Sequence, residues 1–245
     1  MSKELLLTLA DVEVAFRFHF SGTGMLFRNY ENKKIPQGYR GKVISADPAK
    51  ILAFSEASGS SMEFSEYNCL RDETANYMTE IGRVMFHGVA FQYGTGVYIL
   101  TAPSGTGKST QYRNLYTLYG ERIQIINGDK PLLGPGAKEE IIVYPSPWNG
   151  KENWSGSSHG PLRAVILLEQ AKENILTILD KKEAVVPILQ QCLYTAPNGK
   201  SVHTVFRMTD SILNGVPLYH FFNRGNLASS EVLFDCIRKV EDTWH

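Results

Sequence analysis

The sequence predicts an α/β protein with a β-rich N-terminal region, and three patterns along the 245 residues support this fold class. Apolar and polar residues alternate over residues 12–20, which is typical of a strand with one buried face. Apolar residues between 66 and 82 fall instead at helical spacing. The third pattern joins an apolar, β-branched segment at 97–101 through a glycine-rich loop to residues 111–119, which lack Gly and Pro. This succession predicts a buried strand, a loop and a helix.

The N-terminal elements are predicted in order along the chain. The alternation at 12–20 places five apolar side chains on one strand face, namely Val12, Val14, Phe16, Phe18 and Phe20. Residues 21–24 are predicted as a hairpin turn, because no lysine follows their glycines and no helical pattern begins there. A surface loop follows at 33–38 and a second short strand at 42–46. The helix at 66–82 ends at Gly82.

The remaining elements continue the α/β pattern. Pro187 is expected to split or kink the helix that contains it. The loop at 145–161 is rich in Pro, Gly, Ser, Asn and Trp, and long loops of this kind often carry function. The predicted strands are 84–86, 97–101, 122–127, 140–144, 164–168, 174–179 and 216–222, and the predicted helices are 111–119, 181–193, 201–214 and 229–245.

Composition argues against several classes of protein. Lys and Arg together number 25 and Asp and Glu together number 25, so no net charge marks a nucleic-acid binder. The cysteines Cys69, Cys192 and Cys236 are far apart and predict free thiols in a reducing compartment. No apolar run approaches the roughly 20 residues that span a bilayer, and the N-terminal run is too short for a signal peptide. We expect a soluble, cytoplasmic protein without nucleic-acid or membrane partners, and the sequence is compatible with a homo-oligomer.

The glycine-rich loop at 102–110 matches a phosphate-binding loop (Walker A) in all but its first position, where Ala102 replaces the usual Gly. Gly105 and Gly107 allow a positive φ, so that successive N–H groups can point at phosphate oxygens. The helix N-terminus behind them adds partial positive charge. Lys108 supplies a mobile cation for the outer phosphates, and Ser109 supplies the hydroxyl that holds Mg²⁺.

We therefore predict a site for a nucleoside triphosphate or diphosphate. Its nucleotide-binding residues are Ser104, Gly105, Thr106, Gly107, Lys108, Ser109 and Thr110. The alternative is a chance turn rich in Gly and Ser, which the flanking strand and helix disfavour.

Neither a repeat nor a linker divides the sequence. We expect a single domain over 1–245, with a β-rich part at 1–62 and a nucleotide-binding core with a C-terminal helix at 63–245.

The order of the strands places two further residues near this loop. Asp129 follows the next predicted strand, and residues at neighbouring strand ends face one crevice. Its carboxylate can bind Mg²⁺ or accept a proton from a hydroxyl that attacks the γ-phosphate. The alternative is that residues 127–129 only form a turn. His87 can line the same crevice as an acid, a base or an orienting group, or it can be a structural histidine at a strand bulge beside Gly88.

Together these segments resemble the catalytic core of HPr kinase/phosphorylase and its relatives, which share an ATP-binding core with phosphoenolpyruvate carboxykinase. The resemblance covers about 86–133 and is carried by Phe86-His87-Gly88-Val89, a hairpin through 93–96, the loop at 104–109 and Gly128-Asp129. It implies a P-loop-containing α/β core with a mixed sheet and flanking helices. It also implies a kinase that uses ATP and Mg²⁺ to phosphorylate a hydroxyl, often that of a serine.

The family's site residues map onto this sequence one at a time. The active-site histidine of a His-Gly pair maps onto His87, and the first of two adjacent aspartates, a base or metal ligand, maps onto Asp129. The second aspartate is Lys130 here, which removes one carboxylate from the implied metal site. The family's glycine-rich arginine motif for its protein substrate has no counterpart. Stand-alone relatives of this kind resemble tailoring kinases for other substrates, including peptides.

The loop at 145–161 offers a replacement for that substrate motif. Lys151 lies between Trp148 and Trp154 and can clamp the oxygens of the transferring phosphoryl group. The tryptophans can bind the substrate or pack the loop down. In the alternative interpretation, both tryptophans are hydrophobic anchors and Lys151 is solvated.

The sequence thus predicts an ATP-dependent kinase that acts on a serine of a peptide or small protein, or on a small molecule. Lys108 and the loop amides hold the phosphates, Ser109 and Asp129 hold Mg²⁺, and Asp129 or His87 accepts the hydroxyl proton. The alternative is a nucleotide-binding partner protein without catalysis. Three other classes of nucleotide-binding protein fit less well. The further motifs of an ABC-type ATPase and of a GTPase are missing from the sequence, and guanylate-kinase-like proteins usually carry the loop near the N-terminus. ATP, GTP and pyrophosphate all remain open as donors.

Overall fold

A computed structural model describes residues 4–27, 30 and 34–244 of the chain. Lys33 of the predicted surface loop and the C-terminal residue His245 lie outside these ranges. Within them, helices flank a three-stranded sheet and a ten-stranded sheet. The large sheet contains both parallel and antiparallel pairs, which confirms the α/β class with a mixed sheet and flanking helices.

The small sheet consists of β1 (Glu4–Leu9), β2 (Val12–Arg17) and β3 (Lys42–Ile44). β1 and β2 form an antiparallel hairpin, and β3 lies parallel to β2 on its other side. The hairpin turns at Ala10 and Asp11, whose φ angles are 47° and 63°. Positive φ at both turn positions matches the right-handed twist of the strands. The strand predicted at 12–20 therefore exists but ends at Arg17, and β1 has no counterpart among the predicted elements.

Residues 21–26 form a short helix, α1 (Ser21–Leu26), so the prediction of a hairpin turn at 21–24 is wrong. The cause is the buried carboxylate of Glu66, which lies between residues 62 and 80 on another helix. It accepts hydrogen bonds from the backbone N–H of His19 at 2.6 Å and of Phe20 at 3.1 Å, and from the hydroxyl of Thr23 at 2.6 Å. A carboxylate at a helix N-terminus satisfies free polar groups and complements the helix dipole. A long-range contact, rather than the local sequence, makes these residues helical.

A second helix, α2 (Pro48–Ser58), lies in the region predicted as β-rich. The side chain of Asp47 accepts a hydrogen bond from the N–H of Ala49, Pro48 occupies the first turn, and Gly59 ends the helix with a φ of 66°. Ile51 is its buried residue, so the helix shows little of the apolar periodicity that would reveal it in the sequence. It is followed by α3 (Met62–Glu80), which starts four residues before the predicted helix. The region at 1–62 therefore holds helices as well as strands.

The large sheet consists of ten strands among the described residues. They are β4 (Val84–Phe86), β5 (Val89–Tyr93), β6 (Gly96–Thr101), β7 (Gln124–Asn127), β8 (Leu132–Pro135), β9 (Ile141–Tyr144), β10 (Gly160–Gln170), β11 (Ile175–Ile178), β12 (Cys192–Leu193) and β13 (Leu218–Asn223). Their order is β12-β4-β8-β9-β10-β6-β5-β7, with β13 beside β10 and β11 beside β13. β8 and β12 have no counterpart among the predicted strands, and β5 is only implied by the hairpin predicted through 93–96.

The directions of the strands bring the candidate residues to one edge of the large sheet. β6, β10 and β13 run parallel to one another. β7 runs the same way, because β6 and β7 are both antiparallel to β5. Their carboxyl ends therefore meet at the same edge, where ligands of α/β sheets commonly bind. The loop after β6, Asp129 after β7 and Gln170 at the end of β10 lie there, and His87 reaches this edge just before β5 begins.

Helices cover both faces of the large sheet: α4 (Lys108–Tyr119), α5 (Lys181–Gln191), α6 (Gly199–Gly215) and α7 (Leu227–Asp242). α4 and α7 share one buried cluster, which includes Leu115 and Leu233. α5 and α6 share another, which includes Ile188 and Val205. Pro187 lies inside α5 and does not divide it. The predicted helix at 181–193 ends two residues early, because residues 192–193 pair with β4 as β12.

The prediction of free thiols is confirmed for the three cysteines. Cys69 and Cys192 are buried and free, and Cys236 is free and half-buried. Burial raises the pKa of all three thiols, and that of Cys192 reaches about 12, so they are poor nucleophiles at neutral pH. Among the described helices, none combines the length and the hydrophobicity that a bilayer crossing requires.

Candidate functional site

The loop between β6 and α4 has an open, glycine-lined surface. The φ angles of Gly105 and Gly107 are 83° and 103°, and a methyl group placed on either residue would meet nothing within 4 Å. Gly107 is the N-cap residue of α4 and has no side chain to satisfy the first amide groups of that helix. Uncapped N–H groups and the helix dipole favour an anion at this position. The loop therefore has the shape and polarity that phosphate oxygens require.

Lys108 lies beneath this loop with its side chain largely buried, at 8% exposure. Its ammonium group donates hydrogen bonds to the backbone oxygen of Ala102 at 2.8 Å and of Pro103 at 3.1 Å. Burial lowers the pKa of Lys108 to about 8, the charge of Asp129 opposes this shift, and the charge of Lys130 adds to it. The amine is thus held by neutral carbonyl oxygens, and an anion in the loop would stabilise its charge far better.

The other loop residues lie in the exposed turn before α4 or in the first turn of that helix. Ser104 is exposed, and Ser109 and Thr110 are half-buried in the first turn of α4. The hydroxyl of Thr106 donates to the backbone oxygen of Pro103 at 2.8 Å and tightens the loop. Ala102 is fully buried in the cluster beneath α4, so its methyl group packs into the core rather than toward the open side of the loop. The departure from Gly at this position leaves the glycine-lined surface intact.

Asp129 is placed by a turn that a buried asparagine organises. The side-chain oxygen of Asn127 accepts hydrogen bonds from the N–H of Asp129 at 2.9 Å and from the N–H of Lys130 at 2.6 Å. Its amide nitrogen donates to the backbone oxygen of Ser146 at 2.9 Å. The turn interpretation of residues 127–129 is therefore correct for Asn127, and that turn leaves the carboxylate of Asp129 available for the site. Asn127 therefore orders the turn that places Asp129, a role that its sequence context does not indicate.

His87 lies against Asp129, as the order of the strands predicts. Its Nε2 is 3.3 Å from Oδ1 of Asp129, and its Nδ1 is 3.0 Å from Oε1 of Gln191. The backbone N–H of Gly88 donates to the backbone oxygen of Asp129 at 2.9 Å, which ties the two segments together. Gln191, at the end of α5, is a site residue that the sequence patterns do not reveal, because it lies 104 positions from His87.

Lys130 is the counter-ion of Asp129. Its ammonium group lies 2.9 Å from Oδ1 of Asp129. Burial acts to raise the pKa of Asp129, but the hydrogen bond from His87 and the charge of Lys130 outweigh it, and the pKa is lowered. Burial lowers the pKa of Lys130, Asp129 opposes that shift, and the nearby Arg71 of α3 adds to it. The charged form of Asp129 is therefore stabilised within a cluster of basic groups.

The loop at 145–159 is packed down by its two tryptophans. Trp148 is buried at 2% exposure, and its indole N–H donates to the backbone oxygen of Tyr67 at 3.0 Å. Its ring packs among Phe16, Phe27 and Tyr67, with ring centroids 5.6 to 6.4 Å apart. Trp154 packs on Tyr112 of α4, with ring centroids 4.9 Å apart. Both tryptophans are thus anchors of the loop, as the alternative interpretation has it.

Lys151 lies on the exposed part of that loop and makes no hydrogen bond or ion pair with any other described residue. It follows Gly150, whose φ is 82° and whose added Cβ would lie 3.1 Å from Cβ of Asp129. The backbone before Lys151 therefore touches the site, whereas its side chain is solvated. The structure does not bring the Lys151 ammonium group into contact with His87, Lys108 or Asp129.

A cleft of about 590 Å³ opens beside the glycine-rich loop. One wall is formed by residues 103–106, and the opposite walls by the end of β10 and the end of α5. Gln191 lies in this lining and also contacts His87, so His87 lies next to a wall of the cleft. In its wall the carboxylate of Glu169 lies 3.0 Å from Nε2 of His220. The cleft therefore gives access to the glycine-rich loop and to the residue that contacts His87.

The donor groups suit a magnesium ion that is shared with phosphate oxygens. No cluster of three or more His, Cys, Asp or Glu side chains occurs among the described residues, so a cage built from protein ligands alone is not present there. Mg²⁺ commonly binds through one or two carboxylates and the substrate phosphates. Asp129 and the hydroxyl of Ser109 are the described groups that could contribute to such a set, and Lys130 lies 2.9 Å from Oδ1 of Asp129.

Comparisons with known proteins identify no family. No family model matches the chain, and no curated protein matches it. Among solved structures, an HPr(Ser) kinase/phosphatase from Coxiella burnetii is similar with a TM-score of 0.30 and 12% sequence identity. The match covers 53% of this chain and 88% of that chain. At this identity and TM-score the likeness establishes neither a shared family nor a shared function.

Proposed function

We propose that this protein is a kinase of the HPr-kinase-like type, which transfers the γ-phosphoryl group of ATP to a hydroxyl with the help of Mg²⁺. The observation that supports it best is the position of Lys108. Its buried ammonium group lies beneath an open glycine loop and interacts electrostatically with Asp129, which in turn contacts His87. An anion-binding loop next to an acid–base pair is the arrangement that phosphoryl transfer requires.

The loop residues would bind the phosphates in this function. The amides of residues 104–110 point their N–H groups at phosphate oxygens, and Lys108 exchanges its two carbonyl partners for the outer phosphates. Because the ammonium group is already buried, this exchange costs little additional desolvation. Ser109 and Asp129 would hold Mg²⁺, which neutralises charge on the phosphate oxygens when it is bound.

The acceptor hydroxyl would enter through the cleft beside the loop. Asp129 and His87 form one hydrogen-bonded unit, so either group can take the proton as the hydroxyl oxygen attacks phosphorus. The stabilised carboxylate of Asp129 is ionised at neutral pH and thus ready to accept it. The amide and carboxylate groups of the cleft wall would orient the acceptor, which we propose to be a serine of a peptide or small protein, or a small molecule.

One observation favours a second function, in which the protein binds a nucleotide without catalysis. Lys130 occupies the position of a second carboxylate and neutralises Asp129 at 2.9 Å. If that ion pair persists when a nucleotide is bound, Lys130 continues to neutralise Asp129, which weakens its binding of a metal and its basicity. The nucleotide would then act as a ligand that stabilises a surface for a partner protein.

Mg²⁺-dependent release of ADP from ATP, measured with serine-containing peptides and small alcohols as acceptors, separates the two functions. The kinase releases ADP in proportion to a phosphorylated acceptor, and Lys108→Ala abolishes this release while the protein stays folded. Lys200→Ala, which changes an exposed lysine at the start of α6, leaves it unchanged. Transfer that persists in Lys108→Ala contradicts the kinase. Tight ATP binding without ADP release across those acceptors supports the nucleotide-binding partner instead.

A further inference from the structure

The outer edge of the large sheet is open along β11. β11 pairs with β13 on one side, and no other described strand lies on its other side. Ile178 of this strand is 82% exposed and Ile175 is 46% exposed, although both side chains are apolar. An open edge with exposed β-branched side chains is a template for pairing with a further strand. We propose that β11 pairs antiparallel with β11 of a second copy of this chain, so that the two large sheets join into one.

The hydrogen bonds of β11 decide which of its backbone groups face the open side. The N–H of Leu179 donates to the backbone oxygen of Leu218 at 2.9 Å, and these residues lie directly opposite when the register of β11 and β13 is continued. Hydrogen-bonded and non-hydrogen-bonded pairs alternate along an antiparallel ladder. Thr177 therefore bonds to β13, whereas the N–H and C=O groups of Leu176 and Ile178 point toward the open side.

These outward groups fix the register of the pairing. When Leu176 of each copy lies opposite Ile178 of the other, both outward residues of each strand take part, and backbone hydrogen bonds form on either side of the axis. Thr177 then faces its own copy on the two-fold axis. Leu and Ile bury apolar surface against each other, and the two threonines can exchange a hydrogen bond. β11 is thus complementary to itself, which favours a second copy over an unrelated strand.

The charged residues near β11 permit this contact. Charged side chains at a sheet edge usually prevent pairing, but those near β11 lie beyond its two ends. An antiparallel pair brings the end at 172–173 of one copy beside the end at 180–183 of the other. The charges of these two ends cancel, and the whole chain also carries no net charge, so the copies do not repel each other. The basic residues are Lys172, Lys181 and Lys182, and the acidic residues are Glu173, Asp180 and Glu183.

The dimer places two clefts on one face of the joined sheet. Thr177 lies opposite His220, which lines the cleft beside the glycine-rich loop, and residues directly opposite share a sheet face. His220 is one strand spacing from Thr177, and Thr177 is one spacing from its copy. The two His220 residues therefore lie about 14 Å apart, at about 4.8 Å for each spacing. The interface borders both clefts, and it does so whether or not the protein is a kinase.

Sedimentation velocity over a dilution series tests the association. We expect a reversible equilibrium between monomer and dimer without any added ligand. Ile178→Lys should raise the dimer dissociation constant more than about tenfold, because each dimer loses two Leu–Ile contacts and gains two lysines at the strand edge. Leu52→Lys is the matched control, since Leu52 is an apolar residue of α2 that is 50% exposed. A protein that stays monomeric at every concentration overturns the proposal. A dimer that Ile178→Lys leaves unchanged also overturns it, because its interface then lies elsewhere.

A disulfide across the two-fold axis tests the register and requires only a small change at an exposed residue. Thr177 faces its copy in a non-hydrogen-bonded pair, whose Cα atoms are about 4.5 Å apart, and a disulfide spans about 4.4–6.8 Å. We expect Thr177→Cys to form a covalent dimer under mild oxidation. Ile175→Cys is the matched control, because Ile175 lies about 14 Å from its own copy in this register.

The unmodified protein controls for the free thiols of Cys69, Cys192 and Cys236 under the same oxidation. Reducing and non-reducing gel electrophoresis measures the covalent dimer in each sample. A covalent dimer that forms equally in Thr177→Cys and Ile175→Cys overturns the proposed register. Absence of a covalent dimer in Thr177→Cys, at a concentration where sedimentation shows association, overturns it as well.

Discussion

The ammonium group of Lys130 lies 2.9 Å from the carboxylate of Asp129, so the proposed metal ligand carries its own counter-ion in the adjacent position of the chain. This ion pair neutralises Asp129 while the site holds no metal. The ammonium group of Lys130 and Nε2 of His87 both approach the same oxygen, Oδ1. Lys130 therefore competes electrostatically with a cation for the negative charge of Asp129.

Removing this competitor should make Mg²⁺ easier to bind. We expect Lys130→Met to lower the Mg²⁺ concentration for half-maximal ATP binding about fivefold, which corresponds to an ion pair of about 1 kcal/mol. Isothermal titration of ATP at a series of Mg²⁺ concentrations measures the shift. Lys200→Met controls for the general loss of a positive charge. An unchanged or higher Mg²⁺ requirement in Lys130→Met would show that the ion pair does not compete with the metal.

Nucleotide binding should take up a proton above pH 8. The pKa of Lys108 is lowered to about 8 by burial, so a growing fraction of the amine is neutral as the pH rises above that value. Phosphate oxygens favour the charged form and raise this pKa, and binding at pH 8.5 therefore protonates Lys108. Calorimetric titrations in two buffers of different ionisation enthalpy measure this uptake. Lys108→Met should show none, and equal uptake in both proteins would assign the proton to another group.

Gly150 should be required for the position of Asp129. Gly150→Ala places an L-residue at a φ of 82°, which costs about 1–2 kcal/mol of unfolding free energy, and brings its Cβ to 3.1 Å from Cβ of Asp129. Gly59→Ala carries a similar strain at a φ of 66° but meets nothing within 4 Å. We expect denaturant unfolding to show a similar loss of stability in both variants and turnover to fall only in Gly150→Ala. Equal turnover in the two variants would contradict this role for the contact.

Trp148 should stabilise the protein rather than bind the acceptor. Its ring is buried among aromatic side chains, so Trp148→Ala is expected to lower the free energy of unfolding by about 3–5 kcal/mol. Trp244→Ala, which removes a tryptophan that is 45% exposed, should cost much less. Urea unfolding monitored by circular dichroism compares the two variants. A Trp148→Ala protein that is as stable as the Trp244→Ala protein would rule out the anchoring role.

Lys151 is the remaining candidate for contact with the transferring group. Because it is exposed and makes no ion pair with another described residue, Lys151→Ala should change stability by less than about 0.5 kcal/mol. If the ammonium group reaches the phosphoryl oxygens during turnover, kcat should fall about 100-fold without a change in ATP affinity. Single-turnover kinetics and ATP titration separate these effects. An unchanged kcat would assign Lys151 to the solvated surface.

The parts of the fold that were predictable from the sequence are those with a strong local pattern. β2, α3 and the β6–loop–α4 unit each show apolar alternation, helical spacing or a known loop motif. α2 was missed because it buries little more than Ile51, although Asp47, Pro48 and Gly59 are usual boundary signals. α1 was missed because its start is stabilised by Glu66, more than 40 positions away. Local patterns contain no information on such distant contacts.

In the candidate site, too, residues with a local sequence pattern were predictable and residues that depend on distant contacts were not. Lys108, His87 and Asp129 were predicted together because motif residues at neighbouring strand ends must converge. Gln191 and Asn127 were not predicted, since a glutamine at a helix end and an asparagine at a strand end have no pattern of their own. Their roles depend on the pairing of β12 with β4 and on the path of the loop at 145–159. The tertiary structure therefore reveals the contacts of Gln191 and Asn127, whereas the sequence motifs indicate only the candidate residues themselves.

The burial of Trp148 links the stability of the site to that of the N-terminal sheet. The loop that passes beside Asp129 is anchored in the same hydrophobic cluster as Phe16 of β2 and Phe27 after α1. Loss of β1 and β2 would expose this cluster and free the part of the loop, at Gly150, that lies against Asp129. The N-terminal residues and the sheet edge that carries Asp129 should consequently unfold in one cooperative transition, so that a shortened chain lacking β1 and β2 would not keep Asp129 in place.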